Sequence, residues 1–401
     1  MESSMSGWPR TIELTAFERR TEERMARLAL TGATLMTATR GNIDNGTLLI
    51  RNSTIEEIGT HVRVPQDAEV WNLKGKVVIP GMIDAHTHLG LRQDGVGADQ
   101  SDEDEVENPI VPQIRAIDAI NPEDIGFSDA LKGGVTTVGV MPGSYNVVCG
   151  QTAAVKVVGR TLEEMLVSAP VGMKISFGER PKGAYGSRKK SPMTRMGISA
   201  MLRETLVKTQ NYMKKKGERD LRMESLIPVI KKTIPFRAHA HRADDIMTAI
   251  RIAKEFSVRL VIEHGTDGYK VAPELAAARV PVVHGPWIKV RGNVEQSGRN
   301  PESPRILIEM GVLTSFSTDH PVIAIQNMRL QATSAVEEGV APDEALKAVT
   351  INSARIMGID KRVGSLEKGK DADLVVLSGP PFAGGSRVEA VVVNGNVAWK
   401  H

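Results

Sequence analysis

Two textures of hydrophobic and polar positions divide the chain. Over residues 28–79, short apolar runs such as Thr34-Leu35-Met36, Gly46-Thr47-Leu48-Leu49-Ile50 and Ile55-Glu56-Glu57-Ile58-Gly59 are broken by turn residues. Such a pattern predicts small antiparallel β-structure. It returns over 372–377 and 388–396, where Asn394-Gly395-Asn396 is a hairpin signal. Between these ends, apolar runs at 77–83, 136–141, 172–177, 236–240, 260–263, 280–283 and 312–316 alternate with helical stretches, clearest at 242–256 and 342–356. The second of these opens on the acidic turn Pro342-Asp343-Glu344. Strand and helix alternating in this way predict an α/β fold, a (β/α)8 TIM-type barrel. Residues 153–158 are either its eighth strand or part of an excursion that distorts it. The expected organisation is therefore a barrel over 80–363 and a composite β-sandwich from 26–79 and 364–401. Residues 1–25, dense in Arg, Glu, Thr and Ser, read as a poorly ordered extension, and Met25 as an alternative start.

Composition narrows the function classes. With 51 basic and 48 acidic residues the net charge is only +3, which gives no global reason to expect nucleic acid or a membrane surface as partner. No stretch approaches a membrane span and no secretory core opens the chain, so a cytoplasmic location is expected. The single cysteine, Cys149, cannot form an internal disulfide and reads as buried or incidental. Two segments are locally biased: 94–107 holds seven acidic side chains and no basic one, and 180–220 holds twelve basic against three acidic. Each follows a predicted barrel strand, where active-site loops lie. Arg180, Arg188 and Arg195 are the candidates for a substrate carboxylate or phosphate.

The sharpest chemistry is the strand 78–88, which ends in His86-Thr87-His88. Spacing i, i+2 at an extended strand end puts both imidazoles on one side, half of a site for a borderline divalent metal such as zinc. Later strands end alike, in His239-Ala240-His241, Glu263-His264-Gly265 and Ser317-Thr318-Asp319-His320. Of nine histidines in the chain, six lie at these four strand ends. Since barrel strands point their C-terminal ends at one mouth, the six are expected to converge. His284, Asn146, Gln151 and Tyr269 are further polar groups expected near that mouth, each with a packing role as its alternative.

Over residues 26–401 the chain resembles the amidohydrolase superfamily, within it the imidazolonepropionase-like and prolidase-like group. The resemblance rests on Pro80-Gly81-Met82-Ile83-Asp84-Ala85-His86-Thr87-His88, Gly133-Gly134-Val135-Thr136-Thr137, the strand-end histidines, Ser317-Thr318-Asp319-His320 and the string from Gly364 to Leu374. It implies that His86 and His88 hold one metal, that His239 and His264 complete one or two positions, and that Asp319 is both ligand and proton carrier. One or two divalent ions are implied, zinc first, with manganese, iron or nickel as alternatives. His241 is assigned to substrate or to support of the ligands. A bridging carboxylate would come either from Glu179 or from Lys174 carrying carbon dioxide as a carbamate. Five positions apart, the two would face opposite sides of a regular strand. Glu179 is the preferred reading, from its place at the strand end before Arg180-Pro181.

The expected activity is hydrolysis of an amide, cyclic amide or related C–N bond in a small molecule, with catalytic Asp319, His264 and His241. The alternatives are a deaminase or a lactone, ester or phosphoester hydrolase on the same site. A non-catalytic scaffold of the same fold is a further alternative, disfavoured because every ligand is retained. A homo-oligomer is an expectation from base rates alone.

Overall fold

The computed structural model describes residues 27–93, 95, 101–214, 217–288 and 294–401. The extension expected at 1–25, with Met25, and part of the acidic segment lie outside the described residues. The chain opens as short strands: β1 (Arg27–Met36), β2 (Asn42–Arg51), β3 (Thr54–Gly59), β4 (Glu69–Asn72) and β5 (Val77–Pro80). The apolar run at 77–83 is not one strand. It breaks at Gly81, where the chain leaves one sheet for another and β6 (Met82–Thr87) begins. A Cβ at Gly81 would stand 2.1 Å from Thr136 Oγ1, so the crossing needs glycine.

The barrel sheet continues with β7 (Val135–Val140), β8 (Val148–Lys156), β9 (Leu166–Ser176), β10 (Phe236–Ala240), β11 (Leu260–His264), β12 (Val282–His284) and β13 (Thr314–Phe316), adjacent in chain order. The eighth strand is thus real, but β8 runs antiparallel to both β7 and β9. Only residues 141–147 separate it from β7, too few for a crossover helix, so it has to double back. The barrel is a distorted (β/α)8 fold. Its first and last strands meet at the mouth, where the Asp84 carboxylate accepts from Thr318 N at 2.9 Å and Thr318 Oγ1 at 2.6 Å.

Helices among the described residues are α1 (Ile125–Gly133), α2 (Leu162–Met165), α3 (Glu179–Gly186), α4 (Arg195–Lys214), α5 (Leu221–Ile230), α6 (Ala243–Glu255), α7 (Ala272–Ala278), α8 (Ser303–Glu309), α9 (Met328–Glu337), α10 (Pro342–Ala348) and α11 (Ile351–Met357). None is long and apolar enough to cross a membrane. Strand parity sorts the side chains. Met173, Ile175, Phe236, Ala238 and Ile262 point outward into a core with Leu202 and Leu206 of α4, Ile246 and Ile250 of α6 and Leu275 of α7. Inward lie Ile83, Ala85, Val261 and Val283, capped from below by Ile356 and Met357 of α11. The helix expected over 342–356 is therefore two. The chain breaks after α10, where Val349 O accepts from Ile83 N at 2.8 Å, and α11 turns under the barrel. This packing leaves the upper interior for polar groups.

The far end returns as β14 (Leu374–Leu377), β15 (Val388–Val393) and β16 (Asn396–Lys400), so both ends of the chain share one β-domain, as expected. In place of two separate layers it is one continuous sheet, ordered β16-β15-β14-β5-β1-β2-β3 with β4 paired to β1. One face closes over Leu30, Leu35, Leu48, Ile50, Val78, Leu374, Val376 and Val392. The other, with Ile79, Val375, Leu377 and Val391, lies against Phe127 and Ala130 of α1. A buried ion pair joins this domain to the barrel: Lys156 of β8 meets Asp373, and Asp371 at 3.0 Å. Lys156→Ala would leave Asp373 buried without its cation. It is expected to cost about 3–5 kcal/mol, read as a lower midpoint of denaturant unfolding.

Candidate metal centre

Five of the six strand-end histidines and Asp319 gather at one point, whereas His320 lies against Gly126 of α1 and its Nδ1 accepts from Ile325 N at 3.3 Å. His86 Nε2 lies 3.4 Å and His88 Nε2 3.5 Å from Asp319 Oδ1, so the i, i+2 pair does share a side. His86, His264 and Asp319 form one compact donor group, and His239, His241 and His264 another, with donor atoms within 4.8 Å of one another in each. The rings of His86 and His239 both stand 4.6 Å from that of His264. His264 and Asp319 hold φ values of 69° and 53° in the left-handed region, uncommon for residues with a side chain. Backbone strain of this kind collects at functional sites, and here it sets both residues in the sharp turns that leave β11 and β13.

The far nitrogen of each ring is fixed by a defined partner. His86 Nδ1 donates to Glu263 Oε2 at 2.7 Å, His88 Nδ1 to Met141 O at 2.8 Å and His264 Nδ1 to Gly285 O at 2.8 Å. Because each acceptor lacks a proton, each Nδ1 must carry one, and each Nε2 turns a lone pair to the mouth. His239 Nδ1 meets Ser144 Oγ at 3.1 Å, and its buried Nε2 has no hydrogen-bond partner among the described residues. Burial, aided by the neighbouring imidazoles and opposed at His264 by the Asp319 charge, holds His239 and His264 well below the usual histidine range, which favours the neutral rings. For Asp319 burial opposes the charge, but the imidazoles of His264, His86 and His88 gathered around it outweigh burial and keep the carboxyl well below its usual range. His88 is the exception among the imidazoles: against the effect of burial, Asp319 and Glu103 raise it above the usual histidine value. Imidazole nitrogens that converge on an ionised carboxylate are the donor set of a borderline divalent cation. The buried, partnerless Nε2 of His239 is satisfied by such an ion, so these residues fit the metal that the resemblance implies.

Lys174 and Glu179 part company. Lys174, fully buried on β9, places Nζ 3.3 Å from His86 Nε2 and 3.3 Å from Met141 Sδ. Burial pulls its ammonium below the ordinary lysine value, opposed by the Glu263 charge. Glu179 is not at the cluster, contrary to the preferred reading. β9 stops at Ser176, the chain turns through Gly178 at φ 82°, and Glu179 begins α3 with its carboxylate on Arg195 at 3.0 Å and Lys182 at 3.2 Å. Strand parity could not decide between the two because no strand connects them.

Of the remaining expected groups, His241 is beside the cluster, its ring stacked on His264 at 4.8 Å and its Nδ1 2.7 Å from Thr266 Oγ1. His284 is buried behind His264, where burial pushes it down to about 4, and stacks on Trp287. Asn146 is held by Tyr185 and by the Glu105 carbonyl, and Gln151 lies on β8. Tyr269 sits in the turn after β11 with Lys270 over its ring. Cys149 is buried and pushed up to about 12 by burial, which leaves it a thiol. Three supporting residues received no role from the sequence: Arg237, which pairs with Glu263 inside the barrel, Asp84, pushed up to about 7 by burial, and Ser144. The signal for the first two was a charge inside an apolar strand, which has to be paired.

Imidazoles and a carboxylate gathered at the C-terminal ends of the strands stand where the active sites of such barrels lie. Residues 77–398 match the amidohydrolase family, and the chain belongs to it. An amidohydrolase from Thermotoga maritima superposes with a TM-score of 0.90 at 42% identity, covering 93% of this chain and 100% of its own. Amidohydrolase tasK of Hapsidospora irregularis is 25% identical over 88% of this chain, which spans only 40% of that longer protein. A 5-methylthioadenosine/S-adenosylhomocysteine deaminase of Bacillus cereus is 24% identical over 92% of this chain and 93% of its own.

Glu263→Gln removes the charge that both Arg237 and His86 lean on. With the Arg237 guanidinium buried and uncompensated, the variant is expected to lose about 3–5 kcal/mol, measurable as a lower unfolding midpoint. An unchanged midpoint contradicts the pairing.

Proposed function

We propose that the protein is a metal-dependent hydrolase that cleaves an amide, cyclic amide or related C–N bond of a small molecule. The observation that carries this reading is the convergence of Nε2 lone pairs from His86, His88 and His264 on Asp319, beside the partnerless Nε2 of His239. His86, His88 and Asp319 would hold one ion, with His239 and His264 completing a second position. Lys174 is the group proposed to bridge them, since its buried amine is biased toward the neutral form that adds carbon dioxide and loses a proton to give a carbamate. Zinc is the proposed metal and the cytoplasm the proposed location. Such an ion, when bound, supplies Lewis acidity that activates water and polarises a carbonyl.

The chain's own residues do the rest. Asp319, kept ionised by its imidazole neighbours, takes a proton from the attacking water and returns it to the leaving nitrogen. His241 or His264 steadies the oxygen on which charge develops. Glu263 and the Met141 and Gly285 carbonyls hold the rings in one tautomer, so nothing need reorganise as the reaction proceeds. Deamination on the same groups is the second reading, favoured by the deaminase relative that matches over nearly its whole length.

Metal analysis of the protein with Asp319→Asn, Lys174→Met and Glu179→Gln variants tests this. Wild type is expected to hold one or two divalent ions and to turn over members of a panel of dipeptides, hydantoins, lactones and aminated heterocycles. Asp319→Asn should lower kcat by about 10²–10⁴. Lys174→Met should lose metal, and Glu179→Gln should keep both metal and activity. A wild-type protein that binds no divalent ion under metal-replete conditions contradicts the reading.

A further inference from the structure

Three arginines of the basic segment come to different ends. Arg195 is saturated by carboxylates, with Asp245 at 3.1 Å, Glu179 at 3.0 Å and Glu295 at 3.2 Å. Arg188 donates to the Val106 carbonyl at 3.0 Å, a contact that fixes the loop against the acidic segment. Arg180 has no carboxylate within ion-pair distance among the described residues. Its guanidinium lies over the Tyr145 ring, 5.6 Å from the centroid, and its Nη1 donates to Tyr145 Oη at 3.4 Å. A guanidinium held over a ring is pre-oriented, so less freedom is lost when it binds an anion.

The location is specific. The small cavity at the imidazoles, about 70 Å³, is lined by His88, His239, His264 and Asp319 together with Arg180 and Tyr145. It shares Arg92, Glu103, Asp104, Tyr145 and Arg180 with an adjoining cavity of about 620 Å³. The other charges on the shared wall are engaged: Arg92 with Glu103 at 3.4 Å, Glu103 also toward His88 at 3.7 Å, and Asp104 with Tyr145 N at 3.0 Å.

We infer that Arg180, with the Tyr145 hydroxyl, is the substrate-anion clamp of this site, and that the substrate is an amide carrying one free carboxylate on the side of its scissile bond that faces α3. This rests on the C–N hydrolase reading. A carboxylate is favoured over a phosphate by charge: one guanidinium balances a monoanion, whereas a dianion would leave surplus negative charge beside Glu103 and Asp104. The planar fork of arginine matches the two carboxylate oxygens. Tyr145 accepts from Arg180 and keeps its own O–H to donate to the same anion.

The test uses the metal-loaded full chain with N-acyl amino acids, their isosteric N-acyl amino-acid carboxamides and an N-acyl aminoalkyl phosphate. Wild type should prefer carboxylate to carboxamide by about 100-fold in kcat/KM, mostly through KM, because the carboxamide leaves the clamp unpaired. KM for the carboxylate should rise with salt. Arg180→Met should collapse the preference toward unity and abolish the salt dependence, Arg180→Lys should restore part of both, and Arg203→Met, whose partner is Glu255, should leave both intact. Equal use of carboxylate and carboxamide, an unchanged preference in Arg180→Met, or a preference for the phosphate overturns the clamp. Calorimetric binding of the same compounds to Asp319→Asn separates the two readings. Carboxylate-selective binding that Arg180→Met abolishes, without wild-type turnover, overturns the hydrolase reading and keeps the clamp. Turnover without carboxylate-selective binding does the reverse.

Discussion

A buried chain of charge holds the interior of the barrel together. Arg237, wholly enclosed, pairs with Glu263 on the neighbouring strand and donates to the Ala85 carbonyl at 2.9 Å. Glu263 in turn accepts from His86 Nδ1 at 2.7 Å. Three strands, β6, β10 and β11, are thus tied at the level where the apolar lower barrel gives way to the polar mouth. Burying an arginine and a glutamate is expensive unless they are paired, so the pair constrains the arrangement, although Arg237 Nη1 has no hydrogen-bond partner among the described residues. Burial works against the charge on Glu263, and Arg237 and His86 together overcome it to push the carboxyl down to about 2. An acceptor that stays ionised fixes the His86 tautomer, and the tautomer decides which nitrogen faces Asp319.

From that level upward the fold separates stability from chemistry. Below it, Ile83, Ala85, Val261 and Val283 pack on α11, and the outward faces of the same strands pack on α4 to α8. Above it, Lys174, His239, Glu263 and His264 share the inward side of those strands or their ends. The β-domain keeps its contacts to α1 and to Lys156, away from the mouth. Loops above the barrel can therefore vary without disturbing the histidine-bearing strand ends, and the proposed clamp of Arg180 and Tyr145 lies in those loops.

Much of this was legible in the sequence. Apolar runs locate β7 and β10 to β13 closely, whereas β6 begins only at the end of its run, β9 begins before its run and β8 reads as either strand or excursion. The parallel histidine-bearing strand ends converge as their common polarity in a barrel requires. Three features were not legible, each for a physical reason. The break at Gly81 is invisible because the apolar run continues through it and only the Thr136 side chain forces the crossing. The antiparallel run of β8 depends on a connection being too short for a helix, which periodicity does not register. Glu179 resembled a ligand because the strand seemed to reach it, whereas Gly178 ends the extended backbone and Arg195 captures the carboxylate. Conversely, Arg237, Asp84 and Lys156 were visible as charges within apolar strands, and their pairing follows from burial, but the partners lie in distant segments that no local pattern connects.

The central claim, that these side chains assemble one metal centre bridged through Lys174, is tested most directly by a crystal structure of the metal-replete protein with anomalous scattering recorded at the metal edge. The account predicts anomalous density bounded by Nε2 of His86, His88, His239 and His264 and by Asp319, with extra density continuous with Lys174 Nζ. An anomalous peak beside Glu179, or no peak among the imidazoles, would contradict it.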